Sequence, residues 1–402
     1  MSDNPASSLL LRALVAAEHG LDALKARLGP ERTPVIVPFR GHATERTVHV
    51  KGRVLEDPGT TPATDADSWF DNAAGMVQRF ESDEIPGAQV EVVAFGQSCT
   101  VETDEEGYFR CHLTLDAPVP TDARVHPVYF NLKGTPRNPD ARAHAEGQIL
   151  AALPTAQFAV ISDIDDTVLV TGAARMTAML RTTLFSNART RLPFQGVAAF
   201  YRALAYGTSS TMDNPVFYLS SSPWNLYDLL TEFFDLQGLP VGPLFLRDLG
   251  LTKEHLIKSP HDVHKNAVID DLVTTHASLP FVLIGDSGQH DPEIYAEAVE
   301  RHPGRIRAVY IRDVTDERRD ATVRECVARM EAHGVDVAFF EDSLAAARYA
   351  ARHGLISEAR LPDVEAEFAK DVSGEPGTTA EPVGGEEGGG EKGERRSGGA
   401  EQ

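Results

Sequence analysis

The chain has 402 residues, 42% of them hydrophobic, and a formal net charge of −22. That length allows two domains with a sizeable core, and the acidity excludes a nucleic-acid partner and disfavours broad docking on anionic lipid. Three cysteines (Cys99, Cys111, Cys326), no N-terminal signal and no apolar run long enough to span a bilayer predict a cytoplasmic chain, at most peripheral at a membrane.

Residues 1–32 carry a predicted amphipathic helix over 8–28. Leu10, Leu14, Ala17, Leu21, Leu24 and Leu28 recur at steps of four and three, and Gly29-Pro30 ends the pattern. So narrow a seam suits this protein's own body, a second copy in a homo-oligomer, or a membrane surface. Residues 33–150 read as strands: 47–54, 88–95, 108–115 and 125–132 alternate or are β-branched, with a turn at Asp104-Glu-Glu-Gly107. They predict a small antiparallel β-sandwich, resembling transthyretin-like or carboxypeptidase-regulatory-like modules, with a structural role as the default. Cys99 and Cys111 flank the turn and are read as a free pair. Residues 56–68 form a polar loop.

Residues 151–362 change character. Phe158-Ala-Val-Ile-Ser-Asp163-Ile-Asp165-Asp-Thr167 is an apolar run ending in two carboxylates two residues apart, as in a buried parallel strand that stops at a site. Ligands of open α/β sheets sit beyond the carboxyl ends of the strands. A second such strand, 216–219, ends in Ser220, Ser221 and Ser222, with Ser222 placed as an N-cap and Pro223 as the first helical residue. A third, 281–285, ends in Asp286, Ser287 and, further on, Asp291-Pro292. Between them a helix opened by Ser259, Pro260 and Asp262 carries Lys265. His255, His261, His264 and His276 fit no tight zinc spacing. Strands at 306–312 and 335–341 and a helix at 343–353 complete the pattern, and 363–402, rich in Gly and Glu, is expected to be disordered.

Asp163-Ile-Asp-Asp-Thr167, Tyr218-Leu-Ser-Ser-Ser-Pro-Trp224, Gly242-Pro-Leu-Phe-Leu-Arg-Asp248, His264-Lys265, Leu283-Ile-Gly-Asp-Ser-Gly-Gln289 and Asp291-Pro-Glu-Ile-Tyr295 together resemble the haloacid dehalogenase superfamily. Within it they are most similar to the catalytic domain of the actin-patch phosphatidate phosphatases and their bacterial relatives. The resemblance covers residues 155 to 355. It implies a doubly wound, Rossmann-like parallel sheet, preceded here by the small sandwich and the N-terminal helix.

It also implies roles. Asp163 is the expected nucleophile, forming an aspartyl-phosphate; Asp165 is the acid that protonates the leaving oxygen and then activates water. Ser220, Ser221 and Lys265 are expected to hold the phosphate. Carboxylates facing an anionic phosphate call for Mg²⁺, with Asp163, Asp286 and the Asp165 carbonyl as ligands. Thr167 and Asp291 are expected to support these groups, with a turn hydroxyl and a helix N-cap as their plain structural readings. Lys253 and Lys258 compete with Lys265. Few residues separate Thr167 from Ser220, too few for a large cap, so an open mouth is expected, with Phe185, Phe194, Phe200, Trp224 and Phe245 as lining or core. The reading is a Mg²⁺-dependent phosphatase for phosphatidate or a related lipid phosphate. Its alternatives are a soluble small-metabolite or phosphoprotein phosphatase, and a non-catalytic lipid- or partner-binding scaffold.

Overall fold

The computed structural model describes residues 32–57, 84–164, 167–168, 195–247, 261–314 and 320–373. The predicted N-terminal helix, most of the polar loop, Asp165, Asp166, Phe185, Phe194, Lys253, Lys258, His255 and the tail beyond 373 lie outside the described residues.

Eight strands form the first sheet: β1 Pro34–Pro38, β2 Gly41–Ala43, β3 Thr47–Glu56, β4 Gln89–Ala94, β5 Gln97–Glu102, β6 Tyr108–Thr114, β7 Val125–Gly134 and β8 His144–Ala151. Their order is β1-β3-β2-β8-β7-β4-β5, with β6 on β3. Every pairing is antiparallel except β2 with β8. Alternation does the sorting. Val48, Val50 and Val54 of β3, Val90 and Val92 of β4, and Phe130 and Leu132 of β7 enter one shared core. The opposite face of β3 carries His49, Lys51 and Arg53, half-buried against the second sheet or its neighbours. Cys99 on β5 and Cys111 on β6 are joined in a disulfide, which corrects the free-pair reading. The turn at 104–107 is what brings the two strands together: the Asp104 carboxylate accepts the amides of Glu106 and Tyr108. The bond also runs against the reducing compartment that so few cysteines suggest.

The second sheet is parallel throughout: β9 Ala159–Asp163, β10 Val216–Pro223, β11 Leu244–Arg247, β12 Phe281–Asp286, β13 Ile306–Arg312 and β14 Asp336–Phe340, in the order β11-β10-β9-β12-β13-β14. Helices α1 Val197–Tyr206, α2 Tyr227–Gln237, α3 His261–Thr275, α4 Asp291–Arg301, α5 Asp320–Ala332, α6 Ser343–Arg352 and α7 Leu361–Ser373 accompany it. Val160, Val282, Ile284 and Tyr310 pack with α1, α2 and α6 on one face; Ile161, Leu283, Val309 and Ile311 pack with α3, α4 and α5 on the other. Burial on both faces explains why these strands read as continuous apolar runs.

Two expectations are corrected here. Ser222 does not cap a helix: β10 continues to Pro223, whose backbone is extended, and a 3-10 turn at Trp224–Leu226 precedes α2. Residues 363–373 are helical rather than part of a disordered tail. Val364 is buried, Glu367 accepts the Ala199 amide at 2.8 Å, and Asp371 accepts the Gly196 amide at 2.8 Å. Helix α1 starts at left-handed Gly196 with no side-chain cap of its own, so α7 supplies the acceptors its first turn needs.

The two sheets meet along a seam. Phe39 stacks on Trp224 with centroids 4.4 Å apart, the Arg40 guanidinium pairs with Asp235 at 2.8 Å, and the Arg40 amide donates to the Tyr227 hydroxyl.

Candidate active site

Register brings three strand tips side by side. Leu219 pairs with Asp163, and Ile284 with Ser162, so Asp163, Ser220 and Asp286 all emerge at the carboxyl end of β9, β10 and β12. All three are buried, as are Asp291 at the start of α4 and Lys265 on α3.

Lys265 Nζ lies 2.6 Å from Asp163 Oδ1 and 2.6 Å from Asp291 Oδ1. Burial works against its charge, but the two carboxylates outweigh that and hold the ammonium protonated far above its ordinary range. Asp291 is not the N-cap of α4. His290 occupies that position, and the Asp291 carboxylate turns inward, its Oδ2 accepting the Asp286 amide at 3.2 Å. Asp286 Oδ1 accepts the amides of Gly288 and Gln289 at 2.7 and 2.9 Å. Asp286 Oδ2 is buried without a hydrogen-bond partner among the described residues.

Asp163, Asp286 and Asp291 each offer an oxygen, and these atoms lie within 4.8 Å of one another. Three buried carboxylates face one ammonium, a negative excess that a hard, oxygen-seeking divalent cation would offset. The donor set and the unpartnered Asp286 oxygen therefore fit a metal ion. Burial first, then the Asp291 carboxylate, push the Asp286 carboxyl up to about 7, against the pull of the Gln289 and Gly288 amides and of Lys265. A carboxyl raised in this way contributes stability below its unfolded value of about 4, and that contribution is lost as pH rises through about 7. A cation bound there restores it. A divalent cation such as Mg²⁺ is accordingly expected to stabilise the fold by about 2–3 kcal/mol at a hundredfold excess over Kd, and at a fixed concentration to raise the melting temperature more at pH 8 than at pH 5.5. Thermal melts with Mg²⁺ and with EDTA check this, and equal shifts at both pH values count against a cation on Asp286.

Ser220 is buried with its Oγ accepting the Ser222 amide at 3.0 Å, and Ser221 beside it is half-buried. Thr167 is buried where the chain turns after β9, its hydroxyl without a partner among the described residues, and the Val168 amide donates to the Ile164 carbonyl at 2.9 Å. Phe200 and Trp224 belong to the core, and Phe245 packs beside it, so these three do not line a mouth. His276 faces His42 of the first sheet rather than the other histidines of its own segment. Among the described residues, the acidic trio is the constellation that could hold a metal.

Sequence reasoning missed several supporting groups. Ser162 interrupts an otherwise apolar strand; its Oγ donates to the Asp163 carbonyl at 2.8 Å and meets the Tyr201 hydroxyl. Tyr295 donates to the Ile284 carbonyl at 2.7 Å. Gly285 leaves room for both partners: a Cβ there would lie 2.4 Å from Asp291 Oδ2 and 2.7 Å from the Tyr295 hydroxyl. Gly285→Ala is therefore expected to displace the Asp291 carboxylate, cost about 1–3 kcal/mol of stability, and weaken Mg²⁺ binding at least tenfold. Calorimetric titration checks the second effect, and unchanged affinity contradicts it.

Residues 158–313 match the family described as Phosphatidate phosphatase APP1, catalytic domain. Over 159 residues, 39% of the chain, the sequence is 31% identical to an uncharacterised protein of Schizosaccharomyces pombe. Over 153 residues, 38% of the chain, it is 30% identical to Phosphatidate phosphatase APP1 of Saccharomyces cerevisiae. Each match spans 25% of the relative's own length. A carbohydrate acetylesterase from Xanthomonas citri aligns over 79% of this chain and 75% of its own, with 11% identity and a TM-score of 0.24, too low to carry an argument. Asp163, Ser220, Lys265, Asp286 and Asp291 all fall inside the matched segment. Residues 158–313 are thus similar to the catalytic domain of the phosphatidate phosphatase APP1, and the chain spans about a quarter of the length of the curated relatives it matches.

Proposed function

We propose that this protein is a Mg²⁺-dependent phosphatase that hydrolyses a phosphomonoester through an aspartyl-phosphate, with phosphatidate or a related lipid phosphate as substrate. The observation that carries the reading is the convergence of Asp163, Lys265, Asp286 and Asp291 at the strand tips, with one buried Asp286 oxygen left without a partner among the described residues. The family match supplies the substrate class. In this reading the parallel sheet and its helices form a haloacid dehalogenase-like domain over 151–373, and 33–150 is a separate domain packed against it.

An Asp163 carboxylate oxygen attacks phosphorus, the bond from phosphorus to the ester oxygen breaks, and Asp165 delivers its proton to the departing alkoxide. Asp165, now ionised, takes a proton from a water molecule, which attacks phosphorus and releases phosphate and the Asp163 carboxylate. Lys265 keeps Asp163 ionised and meets the charge of the phosphoryl oxygens, while Ser220 and Ser221 hold those oxygens from the neighbouring tip. Asp291 fixes Lys265. Asp163, Asp286 and the Asp165 carbonyl would hold Mg²⁺, which would supply charge neutralisation between carboxylates and phosphate. No helix among the described residues is long and apolar enough to cross a membrane. In this reading a lipid substrate is met at a membrane surface.

The test compares phosphate release from vesicles containing phosphatidate with release from a soluble chromogenic phosphate ester, each with Mg²⁺ and with EDTA. Metal-dependent release from vesicles is expected. Release from the soluble ester alone replaces the lipid with a small substrate, and release from neither makes the protein a scaffold.

A further inference from the structure

Four histidines line up across the seam between the two sheets. His42 on β2 and His276, just beyond α3, are both buried, with His42 Nδ1 3.0 Å from His276 Nε2. His49 on β3 stacks on His42 with centroids 4.8 Å apart, and His112 on β6 follows at 4.5 Å, reaching the surface. Phe217 and Phe245 of the parallel sheet close the other side.

We propose that the His42–His276 contact is an acid-operated latch on this seam, which holds while both rings are neutral and releases when the cluster takes up protons. The hydrogen bond uses the N–H of one ring and the lone pair of the other, so a doubly charged pair has two donors and no acceptor. The groups facing the pair give a positive charge no relief. His49 and His112 are potential cations themselves, Phe217 and Phe245 are apolar, and Arg305 donates to the His276 carbonyl at 3.0 Å. The carboxylate that reaches the cluster is Asp271, exposed on α3, and it acts on His49. Burial, then the neighbouring imidazoles, hold His42 well below its ordinary range, and burial with His49 brings His276 down to about 4.

The sign follows. A histidine whose pKa is lowered by folding contributes stability that is present above the unfolded value of about 6.5 and lost as pH falls toward about 4. Because α3 carries Lys265 near one end and leads into His276 at the other, release of the latch also loosens the helix that serves the acidic trio. The latch does not depend on which reaction the site performs.

The chain has two tryptophans, Trp69 and Trp224, and Trp224 stacks on Phe39 across the seam. In a Trp69→Phe background, Trp224 emission is expected to shift to the red on acidification, with a midpoint between about pH 4 and 6.5 and before far-UV circular dichroism is lost. Adding His42→Gln and His276→Gln, which cannot take up the protons, should lower that midpoint by at least one pH unit. An unchanged midpoint in a variant that is folded at pH 8 overturns the latch. If that variant does not fold, NMR titration of the unmodified histidines decides. Buried imidazoles that stay neutral at pH 6 and charge together with the Trp224 shift support it. Titration near 6.5 with no change at Trp224 overturns it.

Discussion

Asp163→Asn is expected to abolish phosphate release, lowering turnover by roughly four to six orders of magnitude, while the protein stays folded. The carboxamide keeps the shape of the side chain at the tip of β9 but has no anionic oxygen to attack phosphorus. Stability should not suffer, because the site holds three buried carboxylates against one ammonium and the substitution removes one negative charge. Lys265 keeps Asp291 as its partner at 2.6 Å. Phosphate release measured beside a thermal melt checks both halves. Retention of a tenth of the activity would remove Asp163 from the role of nucleophile, whatever the substrate proves to be.

Lys265→Met is expected to damage both stability and activity. Methionine preserves most of the packing, but Asp163 and Asp291 are then buried without the cation that both contact. Removing one partner of a buried ion pair typically costs about 3–5 kcal/mol, since the remaining charge is stranded. The companion variant Lys265→Met with Asp291→Asn should recover much of that loss, because the Asn carbonyl can still accept the Asp286 amide. Activity should not return, since no positive charge then faces the phosphoryl oxygens. Denaturant titrations and rates on the single and double variants form the cycle. Additive losses of stability would mean that the lysine and Asp291 do not act as a pair.

The parallel half of the fold was legible because its strands are buried on both faces and so read as apolar runs with abrupt polar ends. The predicted run at 306–312 coincides with β13, and 158–163 and 281–285 fall within a residue of β9 and β12. The short strands β1, β2 and β11 and the polar strands β5 and β8 escaped notice. Three to five residues carry too little periodicity, and Gln97–Glu102 and His144–Ala151 place few apolar residues on the inner face. In the site, Asp163, Lys265 and Asp286 were visible as polar residues at the ends of elements. Asp291 was ambiguous because an acid before Pro292 looks the same whether it caps a helix or turns inward; only the tertiary position of Lys265 decides. Gly285 and Ser162 gave faint signals. Their importance depends on what approaches them from α4 and α1, which no local window contains.

The capping of α1 by Glu367 and Asp371 has a practical consequence for anyone trimming this protein. Composition invites a stop codon near Pro362, yet that cut would strip acceptors from the amides of Gly196 and Ala199 and remove the buried Val364 from the core it packs into. Because Tyr201 in the same helix meets Ser162 beneath Asp163, fraying at α1 would reach the strand tip that carries Asp163. An expression boundary at Ser373 or later keeps that buttress whole.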